Sequence, residues 1–173
     1  EGNPVVCGRT LVGRVLAASL GVSAVQLVTD PGFAAPVCIS SASTATLTDD
    51  GQVSAISGLV SGPTRGVLRG NGTVSPRLPV LPVGDVELGA KVEAGMFVLT
   101  NGSTGELPPG LLVGKVKATH HRGTFMEVDV EAAFDLAMTD VVMVLPHARP
   151  TLDEMARILA GKRSLDGTQK KGS

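Results

Sequence analysis

Gly95-Met-Phe-Val-Leu-Thr-Asn-Gly-Ser-Thr-Gly-Glu-Leu-Pro-Pro-Gly-Leu-Leu-Val-Gly-Lys-Val116 is the stretch whose reading decides the fold. Met96 to Thr100 is a short apolar run suited to a buried strand, and Asn101, Gly102 and Gly105 supply residues that tolerate positive φ where the chain must turn. Pro108 and Pro109 fix an extended corner that neither a helix nor a central strand accepts, and Gly110 releases it. Leu112, Gly114, Val116 and Ala118 then alternate with Val113, Lys115, Lys117 and Thr119, which puts the cations on one face of a strand and an apolar face toward a core. No nucleophile stands beside a base here, so the stretch is architectural.

Working outward, Leu11 to Ala17 and Val25 to Thr29 read as two strands joined through Leu20-Gly21, and Asp30-Pro31-Gly32 as a turn. Ala35 to Ser40 reads as a third strand. Residues 40–60, rich in Ser, Thr and Ala with an Asp50-Gly51 hairpin signal, read as a surface insertion. Arg65 to Arg69 is a strand and Asn71-Gly72 a turn. Leu78 to Val83 is an extended piece held from a central position by Pro79 and Pro82, and Val83 to Ala94 a connector. Phe125 to Val130 and Val141 to Leu145 complete the strands. Thr151, with Glu154 three residues on, opens a short amphipathic helix to Leu159, and a Lys-rich disordered tail begins at Gly161.

A shift of 101 positions lays Leu11-Val12-Gly13-Arg14-Val15 on Leu112-Val113-Gly114-Lys115-Val116, and Ala17 on Ala118. Without a gap it also places Val25, Leu27 and Thr29 on Met126, Val128 and Val130, Asp30 on Glu131, and Phe33 on Phe134. Two similar β-hairpins imply two similar small β-domains.

Composition narrows the function. Among 173 residues, 22 Gly and 11 Pro with many Val, Thr and Ser favour short strands, hence an all-β chain. Fifteen Lys plus Arg against sixteen Asp plus Glu give a net charge of −1, without the basic footprint of a nucleic-acid binder. Trp and Tyr are absent and only four Phe are present, which argues against base or sugar stacking and toward a protein that binds proteins. Cys7 and Cys38 have no metal-ligand spacing; they either bridge in an oxidising compartment or stay free. No apolar run approaches the ~20 residues that span a bilayer, which predicts a soluble chain.

The order of strand, Thr-x-Gly turn, Pro-Pro-Gly corner and Val-Gly-Lys-Val strand resembles the C-terminal region of the bacterial rod shape-determining MreC family. The likeness extends to Leu11–Val15, Leu27-Val28-Thr29-Asp30-Pro31-Gly32-Phe33 and Arg65-Gly66-Val67-Leu68-Arg69-Gly70-Asn71-Gly72. It implies two small tandem β-barrel-like domains, which we place at 1–82 and 83–146 with a chain crossover allowed, followed by a helix and tail at 147–173. It implies a non-catalytic scaffold of the cell-elongation machinery, without cofactor or metal, that organises peptidoglycan synthases and maintains rod shape. The implied partners are a class B penicillin-binding protein, MreD, MreB and further copies of itself. The implied location is the periplasmic face of the cytoplasmic membrane, anchored by an N-terminal helix that precedes a coiled coil. A generic envelope adaptor is the alternative.

Candidate sites weigh the same way. His120 and His121 are adjacent, so their side chains point apart and make a poor metal pair; we read them as exposed loop histidines. A chymotrypsin-like two-barrel hydrolase would need a Ser with a converging His and Asp. Ser103, the nearest candidate, lacks the nucleophile-elbow spacing and reads as a turn residue. Asn71 and Asn101 match a glycosylation sequon, but Asn-Gly is itself a turn signal. Asp30 and Glu131 read as structural acids after each hairpin. The candidate partner-binding residues are the apolar, proline-fixed ones: Leu78 and Val80, and at the corner Leu107, Pro108, Pro109, Leu111 and Leu112. The competing reading packs them between domains.

Overall fold

A computed structural model describes residues 2–41, 44–47, 53–57, 64–73 and 77–146. The chain is all-β there, with β1 (Pro4–Cys7), β2 (Thr10–Ser19), β3 (Val22–Leu27), β4 (Ala34–Ser40), β5 (Thr44–Leu47), β6 (Val53–Ser57), β7 (Arg65–Arg69), β8 (Val80–Glu87), β9 (Phe97–Thr100), β10 (Leu112–Arg122), β11 (Phe125–Ala132) and β12 (Met143–Val144). The helix expected at Thr151–Leu159, the tail, the Asp50-Gly51 turn and His147 lie outside the described residues.

Ten strands form one sheet. Its path β11-β8-β7-β4-β9-β10 returns on itself through a β10–β11 pairing, which closes a six-stranded barrel. Closure leaves those strands no free edge. From β10 the sheet continues as an open flank, β3-β2-β1-β12. Among the described residues β5 and β6 pair only with each other, apart from the large sheet, within the segment read as an insertion. The boundary expected at residue 82 falls inside β8, and β4 and β7 are barrel strands although they precede it.

The barrel exists because β7, β8 and β11 alternate buried and more open residues, while β9 is buried throughout. In β11, Met126, Val128, Val130 and Ala132 are buried while the residues between them are less so. The buried set meets Leu68, Leu81, Val83, Val37 and Ile39 from the other strands, and the same cluster runs into the flank through Val6, Leu11, Val12, Val28 and Phe33. Fully burying a side chain such as Leu68 or Leu81 contributes roughly 1.5–3 kcal/mol, so shared packing as well as strand pairing unites flank and barrel.

Pro82 does not end β8, contrary to the expectation that Val83 to Ala94 is a connector. β7 pairs β8 only at Val67↔Gly84 and Leu68↔Val83, so Pro82 lies past the end of that ladder and its missing N–H costs no bond to β7. His120 and His121 likewise sit on β10 rather than in the loop, paired with Glu127 and Met126 near the hairpin tip.

The internal repeat is three strands deep. β1-β2-β3 and β9-β10-β11 share their pairing: Val5↔Gly13 and Val6↔Leu11 in one, Val98↔Gly114 and Leu99↔Leu112 in the other. The bulge between Val15 and Ala17 recurs between Val116 and Ala118. The Gly2 N–H donates to Val15 O and the Val15 N–H to Asn3 O; Gly95 and Met96 bond Val116 in the same two ways. Gly13 and Gly114 are conserved between the copies for a steric reason. A Cβ on Gly13 would lie 2.2 Å from Gln26 O, and one on Gly114 2.0 Å from Glu131 O.

These pairings correct the ungapped match. Gly13 faces Leu27 but Gly114 faces Ala132, so the second strands are offset by 105 positions, not 101. Val28 N–H to Val12 O and Ala133 N–H to Val113 O keep the same offset. The second hairpin is four residues longer, and the structural counterpart of Asp30 is Asp135, not Glu131.

Candidate partner-binding surface

The corner is built around Thr100, which is buried. Its N–H donates to Leu111 O, its carbonyl accepts from Gly110 N–H, its hydroxyl donates to Pro108 O at 2.6 Å, and the Leu111 N–H donates to that hydroxyl at 3.0 Å. Four bonds on one residue turn a proline-rich loop into a fixed bracket. Gly102 lets the loop close, since a Cβ there would lie 2.9 Å from Pro109 Cδ and its φ is +71°. Asn101 Oδ1 accepts the Ser103 N–H, and Asn71 Oδ1 accepts the Thr73 N–H, so both Asn-Gly pairs are Asx turns, as the turn reading expects.

The corner also joins flank to barrel. The Leu112 N–H donates to Arg9 O, and Leu112↔Thr10 is the parallel step between β10 and β2. Arg14 reaches across: Nη1 is 3.1 Å from Glu106 Oε2, Nε donates to Gln26 Oε1, and the guanidinium lies 5.3 Å from the Phe33 ring centre. Lys115, the counterpart of Arg14, covers Phe97 at 5.1 Å. Thr10 carries a buried hydroxyl without a hydrogen-bond partner.

The candidate partner-binding residues divide. Leu107, Leu111 and Leu112 are buried and belong to the hydrophobic clusters, Pro108 is half-buried and Pro109 is exposed. Leu78 is exposed and Val80 half-buried. Leu78 and Val80 line an outer groove of about 480 Å³ with Pro79, Pro82, Glu127 and Asp129. Leu78 holds φ at +34°, a conformation that a branched residue rarely adopts, and this presents its side chain at the groove. Sequence reasoning missed the acidic rim, which only the β8–β11 pairing brings there.

The residues named for hydrolysis do not converge. His120 Nε2 is 2.9 Å from Asp129 Oδ2 on the barrel exterior, whereas Ser103 lies in the Asx turn after β9. Among the described residues no group of three or more His, Cys, Asp or Glu is placed to hold a metal. Cys7 and Cys38 are free thiols, and burial pushes the Cys38 thiol up from its ordinary value against smaller opposing effects of a backbone hydrogen bond and Arg65.

A closed barrel, an open flank that repeats three of its strands and an apolar outer groove define an all-β structural module. The sequence matches the family "Rod shape-determining protein MreC, barrel core" over residues 1–146. This chain belongs to the MreC family. The Caulobacter vibrioides cell shape-determining protein MreC is 34% identical over 113 residues, which are 65% of this chain and 25% of that protein, so the chain spans about a quarter of that relative's length. The major periplasmic domain from the cell shape-determining filament MreC aligns with TM-score 0.59 at 22% identity, over 82% of this chain and 75% of that one. MreC in a complex between Penicillin-Binding Protein (PBP2) and MreC from Helicobacter pylori aligns with TM-score 0.55 at 18% identity, over 79% and 70%. These two structural likenesses establish the fold.

Proposed function

We propose that this chain is the extracytoplasmic core of a non-catalytic scaffold in the bacterial cell-elongation machinery. In this reading it holds peptidoglycan synthases, a class B penicillin-binding protein among them, in register with the membrane partner MreD and the cytoplasmic MreB filament. It acts at the periplasmic face of the cytoplasmic membrane, anchored by a helix upstream of this sequence, and it self-associates. Family membership and the likeness to MreC in the Helicobacter pylori complex with Penicillin-Binding Protein (PBP2) support the synthase partner, and the periplasmic filament likeness supports location and self-association. It works as two modules, the flank and the barrel, with the corner as the bracket between them.

The observation that carries the reading is the outer ridge of Leu78, Val80 and Pro82: apolar, stiffened by Pro82 and the buried Pro79 between them, and displayed on a barrel whose interior is filled. A rigid apolar ridge gives a protein partner contact area with little entropy to lose. Pro109 at the corner extends the proposed contact; Leu107, Leu111 and Leu112 support it from beneath. The test is capture of the cognate transpeptidase by the purified chain. Leu78→Glu is expected to weaken capture about thirtyfold, the loss of a ~2 kcal/mol hot spot. Depletion in the source cell is expected to abolish rod form. No capture by the parent chain, together with unchanged cell shape on depletion, would refute the proposal in favour of a generic envelope adaptor.

A further inference from the structure

The repeat singles out one strand edge. In the barrel copy β11 lies between β10 and β8, with Val128↔Val83 and Val130↔Leu81 on the β8 side, and the Ala132 N–H donates to Pro79 O there. The counterparts in β3 at the 105-residue offset are Ser23, Val25 and Leu27. The Leu27 N–H, where β11 meets Pro79, is closed off by Asp30 Oδ2 at 2.8 Å. Backbone groups alternate along an antiparallel strand, so Ser23 and Val25 point their N–H and C=O the same way as Leu27, away from β2. Among the described residues β3 pairs with β2 alone.

β3 itself lacks the usual protections of an exposed strand, a charge, a proline or a bulge, since the bulge of this hairpin lies on β2. Leu16 to Gln26 contains no charged residue and no proline. Both faces of the hairpin arm are apolar and open to solvent, with Leu16, Leu20, Val22 and Val25 all exposed. A neutral edge offers nothing to attract a charged strand, and two copies of it bring no like charges together.

We propose that β3 pairs antiparallel with β3 of a second copy of this chain, about a two-fold axis through Ala24. Ser23 and Val25 of each copy then exchange N–H···O bonds with Val25 and Ser23 of the other, which fills the position that β8 holds against β11. Ala24 faces its own copy in the non-hydrogen-bonded site, where Cα atoms lie about 4.5 Å apart. The interface is isologous, so it closes as a dimer. The inference deepens the scaffold reading, on which its purpose rests, by naming the self-association surface.

The test uses the full chain. Ala24→Cys is expected to give a disulfide-linked dimer under mild oxidation, because about 4.5 Å lies within the range a disulfide bridges. The parent, and a Leu88→Cys control on the exposed end of the barrel, are expected not to cross-link. Ala24→Lys sets two cations face to face and is expected to weaken dimerisation in sedimentation equilibrium at least about tenfold without changing the melting temperature. Absence of an Ala24→Cys cross-link, a parent chain that stays monomeric at its highest soluble concentration, or an Ala24→Lys variant that dimerises like the parent would each overturn the proposal. Transpeptidase capture by the same preparations separates the two readings. Monomeric chain that captures the enzyme overturns the pairing and leaves the scaffold standing, and dimer that captures nothing does the reverse.

Discussion

The hairpins β2–β3 and β10–β11 start from one pattern and end in opposite environments. Both carry a glycine pressed against the partner strand's carbonyl and a bulge two residues later. Among the described residues only β10–β11 gains a further strand on its outer edge. There Val130 is fully buried, whereas its counterpart Val25 is 36% exposed. The same local instructions therefore give a barrel wall or a free arm according to what covers the last strand.

Substitutions at paired positions test this. The largest effect is expected at the glycines. Gly114→Ala forces a Cβ into Glu131 O within a closed ring and should destabilise by about 3 kcal/mol or more in urea unfolding. Gly13→Ala should cost less, about 1–2 kcal/mol, because β3 is free to move outward. Equal costs would mean the flank is as constrained as the barrel. Next, Val130→Ala should cost about 2 kcal/mol and Val25→Ala under about 0.5 kcal/mol. Thr100→Val, which removes the hydroxyl that both accepts from Leu111 and donates to Pro108, should cost about 1–2 kcal/mol and raise amide exchange across 101–111 first.

Arg14→Gln breaks the bridge to Glu106, a partly exposed pair, and should cost at most about 1 kcal/mol, with faster exchange in β2 and none in β11. The smallest effect concerns Cys38. Its thiol is raised by burial, so alkylation of Cys38 should gain speed only above the ordinary thiol range. The folded state holds that proton more tightly than the unfolded chain. The stability this contributes is full below the ordinary thiol value and is lost as pH climbs through the raised one.

Much of this was readable from residues. Alternation located the main strands, and the Gly-Arg-Val and Gly-Lys-Val echo located the repeat. The four-residue error in the second strand went unnoticed for a physical reason: an even offset keeps every side chain on its own face, so apolar still matched apolar. An odd one would have exposed itself. Pro79 and Pro82 read as holding Leu78–Val83 from a central position, yet β8 pairs on both sides, because Pro82 lies past the end of the β7–β8 ladder. Thr100 looked like the start of a turn, since a buried hydroxyl announces itself through bonds to Pro108 and Leu111 that no spacing reveals. Leu107, Leu111 and Leu112 resembled a displayed ridge, yet the bracket folds them inward and leaves Leu78 and Val80 as the open groove.

β12 is only two residues long, yet it closes the outer rim of the flank. It lies antiparallel to β1, and the Leu145 N–H closes on Pro4 O. The segments around Pro4 and Leu145 therefore share one doorway at the rim of the flank, separated from the closed ring by β2. Tension drawn along the chain from one side of that doorway to the other would load the short β1–β12 clasp and bypass the closed ring, so a stretched assembly would lose the clasp while its barrels kept their shape.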